Sequence, residues 1–107
     1  MRIDIIQLEF IHRTLRTILV ELEEETGIEF TTTSLFRMGD NGVHGQLPLR
    51  GTDLRCRSIV LGQVIEDKIN SEWQYDKTRP ELKCALLHGE GANLHLHIQV
   101  HPNTVRK

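Results

Sequence analysis

Apolar residues recur at three- and four-residue spacing near the start of the chain and predict a helix over residues 4–26. This stripe consists of Leu8, Ile11, Leu15, Ile18 and Leu22. Gly27 follows it, where a C-terminal cap belongs. A second stripe predicts a helix over residues 59–71, with Ser58 as its N-cap. The apolar side of this second helix is expected to contain Ile59, Leu61, Val64, Ile65 and Ile69.

Four other segments have the composition of strands. "IEFTTTSLF" predicts a strand over about 28–36, and "TDLRCR" a short extended segment. "LKCALLH" (82–88) and "NLHLHIQV" (93–100) flank "GEGA", which predicts a hairpin. The glycine-rich stretch "RMGDNGVHGQLPLRG" is a long loop, of a length that in compact domains is usually functional or disordered. The order of elements predicts an α+β fold, with two helices packed on a small antiparallel sheet.

The composition narrows the function classes. The 107 residues fit one domain, 1–107, and 38% apolar with 26% charged residues is ordinary for a globular protein. A formal charge of −2 and 5% aromatic residues predict neither a nucleic-acid partner nor a membrane partner. We expect synthesis in the cytoplasm, since no apolar run reaches membrane-spanning length and the first residues lack signal-peptide features. Cys56 and Cys84 are expected to be thiols rather than a disulfide.

Histidines alternate with leucines in the last predicted strand. His95 and His97 are two residues apart and therefore share a face, and His101 continues that parity if the strand persists. Alone, such a pair is typical either of a solvated sheet face or of half a metal site. His44 in the glycine-rich loop and Asp53 in the next extended segment favour the metal site. Two imidazoles and one carboxylate are a suitable zinc set, and they leave a fourth position for water, as in catalytic sites.

Three segments carry a resemblance to a known superfamily. "FTTTSLFR", "VHGQLPLRGTDLR" and "LHLHIQV" resemble the zinc D-Ala-D-Ala carboxypeptidases and L-alanyl-D-glutamate endopeptidases, including compact phage-encoded members. That superfamily also contains murein endopeptidases and the hedgehog signalling domain. Ser34 and Arg37 match its Ser-x-x-Arg element, His44 its loop histidine, Asp53 its aspartate and His97 its late histidine. The resemblance covers about residues 28–101, roughly two thirds of the chain.

The resemblance implies a hedgehog/DD-peptidase-like fold and a zinc ion held by His44, Asp53 and His97. Zinc would lower the pKa of a bound water to about 7 and polarise a carbonyl. Arg37 would hold a substrate carboxylate or stabilise the oxyanion formed when hydroxide attacks an amide. His95, by analogy with the first histidine of the family's HxH element, would contact the transition state or transfer a proton.

The sequence departs from the family at two places. The spacing from His44 to Asp53 is nine residues, longer than is typical of the family. Leu94 occupies the position where carboxypeptidase members place an acidic residue before the late histidine. His95, Glu90 and His88 therefore all stand as candidates for the general base, and Glu90 is equally well interpreted as a solvated carboxylate in a turn.

The leading hypothesis is a monomeric zinc-dependent metallopeptidase that hydrolyses an amide bond in peptidoglycan stem peptides. A phage or prophage origin, as in an endolysin, would release it to the cell wall. The alternative is a catalytically inactive zinc-binding module that binds peptide or protein partners, as the hedgehog domain does. A nucleotide hydrolase with alternating histidines is a weaker interpretation because position 99 is glutamine. The remaining interpretation is a small α+β domain with surface histidines.

Overall fold

A computed structural model of the chain describes residues 11–27, 32–34 and 50–107, with the backbone alone for 32–34. This part of the chain confirms the α+β prediction, because it combines helices with small antiparallel sheets. The elements are α1 (Arg13–Thr26), β1 (Thr32–Ser34), β2 (Gly51–Arg55), α2 (Ile59–Glu72), β3 (Trp73–Gln74), β4 (Ala85–His88), a 3-10 helix (Gly91–Asn93), β5 (His95–Gln99) and β6 (Val105–Arg106).

The larger sheet has the strand order β1-β2-β5-β4, and every pairing in it is antiparallel. β4 and β5 form the predicted hairpin. Gly89 begins the turn with φ of 85°, and a Cβ there would collide with the carbonyl group of Asn93. Only glycine suits this position, since it adopts positive φ without a steric penalty. β3 and β6 form a second, two-stranded sheet.

The first helix is capped at both ends by side-chain and backbone groups. The prediction of a helix over 4–26 falls partly on residues 4–10, which lie outside the described part of the chain. Within the described part the helix begins at Arg13, because His12 is its N-cap and its Nδ1 accepts a 3.1 Å hydrogen bond from the Thr14 amide. Gly27, at φ of 68°, donates its N–H to the Glu23 carbonyl and confirms the predicted C-terminal cap.

The second helix presents a different face to the core from the one predicted. Ser58 is its N-cap, as expected, and accepts a hydrogen bond from the Leu61 amide. The buried positions are Gly62, Ile65 and Ile69. The prediction that Ile59, Leu61 and Val64 line the core was wrong, since these side chains are 57%, 38% and 59% exposed.

Gly62 explains which face of α2 is buried. A Cβ at this position would lie 2.8 Å from the Cys56 Sγ and 2.8 Å from a methyl group of Leu87. The helix therefore approaches β4 most closely at a residue that a hydropathy pattern does not count as core. The same helix contacts the sheet through side-chain hydrogen bonds. Asn70 donates to the Ala85 carbonyl and accepts from the Ala85 amide, each at 2.9 Å.

The core lies between α1, α2 and one face of the larger sheet. Alternate strand residues supply the sheet's contribution, so that the other face keeps its polar residues towards solvent. The most completely buried large side chains are Leu15, Leu54, Ile65, Leu96, Ile98, Val100, Thr52 and Cys84. In the part of the chain that the structure describes, no helix has both the length and the apolar character needed to cross a membrane.

Ion pairs connect β6 to α1 and α1 to α2. Arg106 contacts both carboxylate oxygens of Glu21, at 2.8 and 2.7 Å, and its guanidinium lies 4.3 Å from the centre of the Trp73 ring. Lys68 on α2 bridges Glu25 of α1 and Glu72 of its own helix. These contacts are partly exposed, so each adds little stability, but together they fix where β6 and the helix ends meet.

Cys56 and Cys84 are both free thiols, as predicted. Cys84 is fully buried, and burial raises its thiol pKa to about 11. We expect a thiol-alkylating reagent at pH 8 to modify Cys56 alone in the folded protein and both cysteines in guanidinium, because a buried neutral thiol is a poor nucleophile. Mass spectrometry of the intact protein counts the adducts. Two adducts at similar rates in the folded protein would contradict this packing.

Neighbouring residues on α2 test which face of the helix is buried. Ile65→Ala is expected to lower the free energy of unfolding by about 2–5 kcal/mol, because it opens a cavity beneath a side chain that is 1% exposed. Val64→Ala, the matched control one position away, is expected to change it by less than about 0.5 kcal/mol. Urea unfolding monitored by Trp73 fluorescence measures both variants. Equal losses would mean that the helix is rotated from the described orientation.

Candidate metal centre

The predicted site residues of the last strand lie on the face of the larger sheet opposite the core. β2 pairs with β5 so that Asp53 faces His97 and Arg55 faces His95. Leu54 and Leu96, between them in sequence, point into the core and are 1% and 2% exposed. The alternation of a strand therefore places one carboxylate, one guanidinium and two imidazoles together on one face.

Asp53 and His97 are in direct contact. The Asp53 Oδ1 lies 2.8 Å from the His97 Nδ1, and the two side chains are only 14% and 16% exposed. Two of the three residues predicted to hold a metal ion thus meet across a strand pair, 44 positions apart in sequence. Their partial burial shields the pair from water and strengthens its electrostatic interactions.

Both ring nitrogens of His97 face oxygen atoms, and Gln99 supplies the one beside Nε2. The Gln99 Nε2 donates to the Lys83 carbonyl at 3.1 Å, which leaves the Gln99 Oε1 facing the His97 Nε2, also at 3.1 Å. A carbonyl oxygen can only accept a hydrogen bond. The contact with the Lys83 carbonyl therefore fixes the orientation of the Gln99 amide, and the His97 Nε2–H donates to the Gln99 Oε1. The His97 Nδ1 also faces an acceptor, the Asp53 Oδ1 at 2.8 Å, so a hydrogen joins these two atoms, and a metal ion bound there would take the place of that hydrogen.

The Asp53–His97 pair brings two atoms of zinc-binding type close together. Two atoms bound to one tetrahedral zinc ion at about 2.0–2.2 Å are about 3.3–3.6 Å apart. The observed 2.8 Å separation needs only a small movement of the side chains to admit the ion. The donor set of a carboxylate oxygen and an imidazole nitrogen, oriented by an outer amide, also suits zinc.

The third predicted ligand, His44, lies outside the described residues, as does Arg37. Ser34 is the backbone partner of Asp53 in the pairing of β1 with β2, so the Ser-x-x-Arg element begins next to the aspartate. Among residues 11–27, 32–34 and 50–107, no three His, Cys, Asp or Glu side chains form a group that could hold a metal ion. The predicted third ligand would come from residues 35–49, between β1 and β2 in the sequence.

His95 is oriented by a backbone carbonyl rather than by a carboxylate. Its Nδ1 lies 2.9 Å from the Asn93 oxygen, so Nδ1 carries the hydrogen. In the neutral ring the Nε2 is then an acceptor. This is the arrangement that a proton-accepting histidine requires, and it separates His95 from the predicted ligand His97, whose Nδ1 faces Asp53.

His88, an alternative candidate for the general base, belongs to the same cluster. It faces His95 across the β4–β5 pairing. Its ring centre lies 5.7 Å from that of His95 and 6.3 Å from that of His97. Glu90 lies in the hairpin turn with an exposed side chain that does not cap the 3-10 helix. Within the described residues no contact joins Glu90 to Asp53 or His97, so its catalytic role stays a prediction.

Two other polar side chains, those of His101 and Asp76, accept hydrogen bonds from backbone amides. β5 ends at Gln99, and the His101 Nδ1 accepts a 3.1 Å hydrogen bond from the Asn103 amide. Asp76 is 3% exposed and accepts hydrogen bonds from the Thr78 hydroxyl and amide and from Arg79, which hold its carboxyl pKa well below the usual range. Both side chains thus stabilise turns.

A cleft of about 340 Å³ lies beside the Asp53–His97 pair. Its walls are Asp53, Arg55, Ala92, Asn93, Leu94 and His95. The volume lies in the range of small-molecule and peptide sites. The cleft connects one predicted metal ligand with the candidate proton acceptor, so a substrate lying in it would meet both.

Sequence patterns did not identify Gln99 or Asn93 as site residues. Gln99 follows His97 by two positions and so shares its face, which is a usable signal. Asn93 acts through its backbone oxygen, which no side-chain pattern reveals. Comparisons with protein-family models, with curated proteins and with solved structures gave no match.

Replacement of Gln99 tests the orientation of His97. Gln99→Leu is expected to weaken zinc binding about 10- to 100-fold, since the outer hydrogen bond that fixes the ring is lost. Gln99→Glu, which keeps an acceptor for the Nε2–H, is expected to retain most of the affinity. Competition with a chromogenic chelator measures both, and thermal unfolding of the metal-free proteins controls for folding. Wild-type affinity in Gln99→Leu would show that the amide does not position the ligand.

Proposed function

We propose that the chain is a zinc-dependent metallopeptidase that hydrolyses an amide bond in peptidoglycan peptides. The observation that supports this most strongly is the Asp53–His97 contact, at which the His97 Nδ1 faces the carboxylate while Gln99 accepts from the Nε2–H. His44 is the proposed third ligand. The order of these residues along the chain agrees with the resemblance to the D-Ala-D-Ala carboxypeptidase and L-alanyl-D-glutamate endopeptidase superfamily.

The residues around the pair suit hydrolysis of an amide. Zinc bound there would supply a water of lowered pKa and a Lewis acid for the carbonyl oxygen. The His95 Nε2, left unprotonated because Nδ1 donates to Asn93, would accept a proton from the attacking water and return it to the leaving amine. The proposed role of Arg37 is to stabilise the negative charge that develops on the carbonyl oxygen.

A substrate would bind in the cleft between β2 and the hairpin turn. Ala92 and Leu94 give it an apolar wall, and Asn93 and Arg55 give it polar groups. A short peptide with both apolar and charged groups, such as a peptidoglycan stem peptide, matches this lining. The side chains of Asp53 and His95 at the same cleft would place the amide within reach of the metal and of the proton acceptor.

One observation favours a second candidate, a zinc-binding module without peptidase activity. Leu94, at the position where carboxypeptidase members of the resembled superfamily carry a carboxylate, is 7% exposed and lines the cleft. The cleft then lacks that acid, and proton transfer falls to an imidazole. If His95 does not transfer protons, the chain would bind zinc and peptides without cleaving them.

Metal content tests the site. We expect one zinc per chain in the purified protein by elemental analysis, lost in His97→Ala and in His44→Ala. His101→Ala is the matched control and is expected to keep zinc, because that ring binds the Asn103 amide instead. Absence of stoichiometric metal in the wild-type protein, or its retention in His97→Ala, would contradict the proposal.

Hydrolysis tests the chemistry. The zinc-loaded protein is expected to release new amino groups from peptidoglycan fragments, and His44→Ala is expected to abolish this. His95→Ala is expected to keep zinc and lose about 10²–10⁴-fold in kcat, the usual contribution of a general acid–base. A zinc-loaded wild-type protein that releases no amino groups would support the binding module instead.

A further inference from the structure

A second feature of the cleft is the guanidinium group of Arg55, which has no side-chain partner among the described residues. Arg55 ends β2, is exposed, and lines the cleft together with Asp53 and His95. In the register of the sheet it faces His95 directly. It is therefore held on a rigid strand, two residues beyond Asp53 on the same face, or about 6.5–7 Å along the strand.

Two other arginines of the fold are engaged in ion pairs. Arg79 contacts the Asp76 carboxylate and Arg106 contacts Glu21. Within the described part of the chain, the side chain of Arg55 has neither an ion pair nor a hydrogen bond. Its five N–H donors are left to water or to a ligand in the cleft.

The chemistry of the unpaired group indicates its ligand. A guanidinium is planar, permanently charged and matched to a carboxylate by two parallel hydrogen bonds. Arg55 lies beside the Asp53–His97 pair and not at it. The group that Arg55 binds is therefore an anion elsewhere on the substrate, not the carbonyl that reacts. Since an extended peptide also advances about 3.3 Å per residue, that anion belongs to a residue about two positions from the cleaved bond.

We propose that Arg55 is a specificity-determining residue that binds a carboxylate of the substrate in the cleft beside Asp53 and His95. The proposal rests on the proposed peptidase function and deepens it, because it requires an acidic peptide. The carboxylate comes either from the C-terminus of the peptide or from an acidic side chain. This role differs from that of Arg37, which is proposed to act at the reacting carbonyl.

The experiment uses a synthetic peptidoglycan stem peptide in three forms. In one form all carboxylates are free, in the second the C-terminal carboxylate is amidated, and in the third the side-chain carboxylate is amidated. Each form is titrated into the zinc-loaded full chain by calorimetry, and its hydrolysis is followed by released amino groups. The proteins are the wild type, Arg55→Ala, Arg55→Lys and the matched control Arg57→Ala. Arg57 is an exposed arginine of the same segment that does not line the cleft.

For the free peptide, Arg55→Ala is expected to raise Kd and KM about 10- to 100-fold with kcat nearly unchanged, as for loss of a hydrogen bond to a charged group. Arg55→Lys should recover part of this loss, and Arg57→Ala should match the wild type. One amidated form should bind the wild type as weakly as the free form binds Arg55→Ala, and that form identifies the carboxylate. Zinc content and thermal unfolding should be unchanged in all three variants.

Two results would overturn the proposal. One is binding that Arg55→Ala does not alter, and the other is an equal loss of affinity in Arg55→Ala for free and amidated peptides. Failure of any peptide to bind the zinc-loaded protein would also overturn it. Binding that depends on both Arg55 and one carboxylate, without hydrolysis, would support the subsite while contradicting the peptidase function, so the two failures are distinguishable.

Discussion

The pairing of β2 with β5 in a single register is the constraint on which the candidate site depends. Thr52 and Leu54 on one strand and Leu96 and Ile98 on the other are buried against the helices. A shift of either strand by one residue would turn its two buried side chains out of the core and bury its polar neighbours, which is energetically prohibitive. The hydrophobic effect on one face of the sheet therefore fixes polar chemistry on the other face, and it sets Asp53 opposite His97.

The rest of the described fold supports this strand pair. α1 and α2 cover the apolar face, and the close approach of α2 at Gly62 allows the Asn70 amide to reach the backbone of β4. β4 in turn holds β5 and carries His88 into the histidine cluster. Side chains held on paired strands are positioned more rigidly than side chains on loops, which suits a metal ligand and its orienting amide.

Local periodicity accounts for what the sequence could predict. Alternation in "LHLHIQV" placed His95 and His97 on one face, and the turn residues of "GEGA" placed a hairpin, and both predictions are confirmed. The start of α1 was less predictable. The apolar stripe of the sequence also includes positions before His12, whereas the His12 cap sets the start of this helix at Arg13. The buried face of α2 was not predictable from hydropathy, since Gly62 contributes no apolar side chain and the apolar Val64 faces solvent.

The candidate site, like the fold, could be predicted from the sequence only in part. The residue types suggested a zinc set, but the contact between Asp53 and His97 depends on a non-local register that no local pattern encodes. The roles of the histidines depend on still finer geometry. A carboxylate lies beside the His97 Nδ1 and a backbone carbonyl beside the His95 Nδ1, and Gln99 also engages the His97 Nε2, so the two histidines of one strand have different partners. Sequence spacing alone made them equivalent neighbours.

The central claim is that the His97 Nδ1 and the Asp53 carboxylate bind one zinc ion. The most direct measurement is anomalous diffraction at the zinc absorption edge from crystals of the full chain grown with zinc. The account predicts one strong peak about 2.0–2.2 Å from both the His97 Nδ1 and an Asp53 oxygen, with the Gln99 hydrogen bond to Nε2 retained. A peak bound through the His97 Nε2, a peak between His88 and His95 alone, or no peak at this face of the sheet would contradict it.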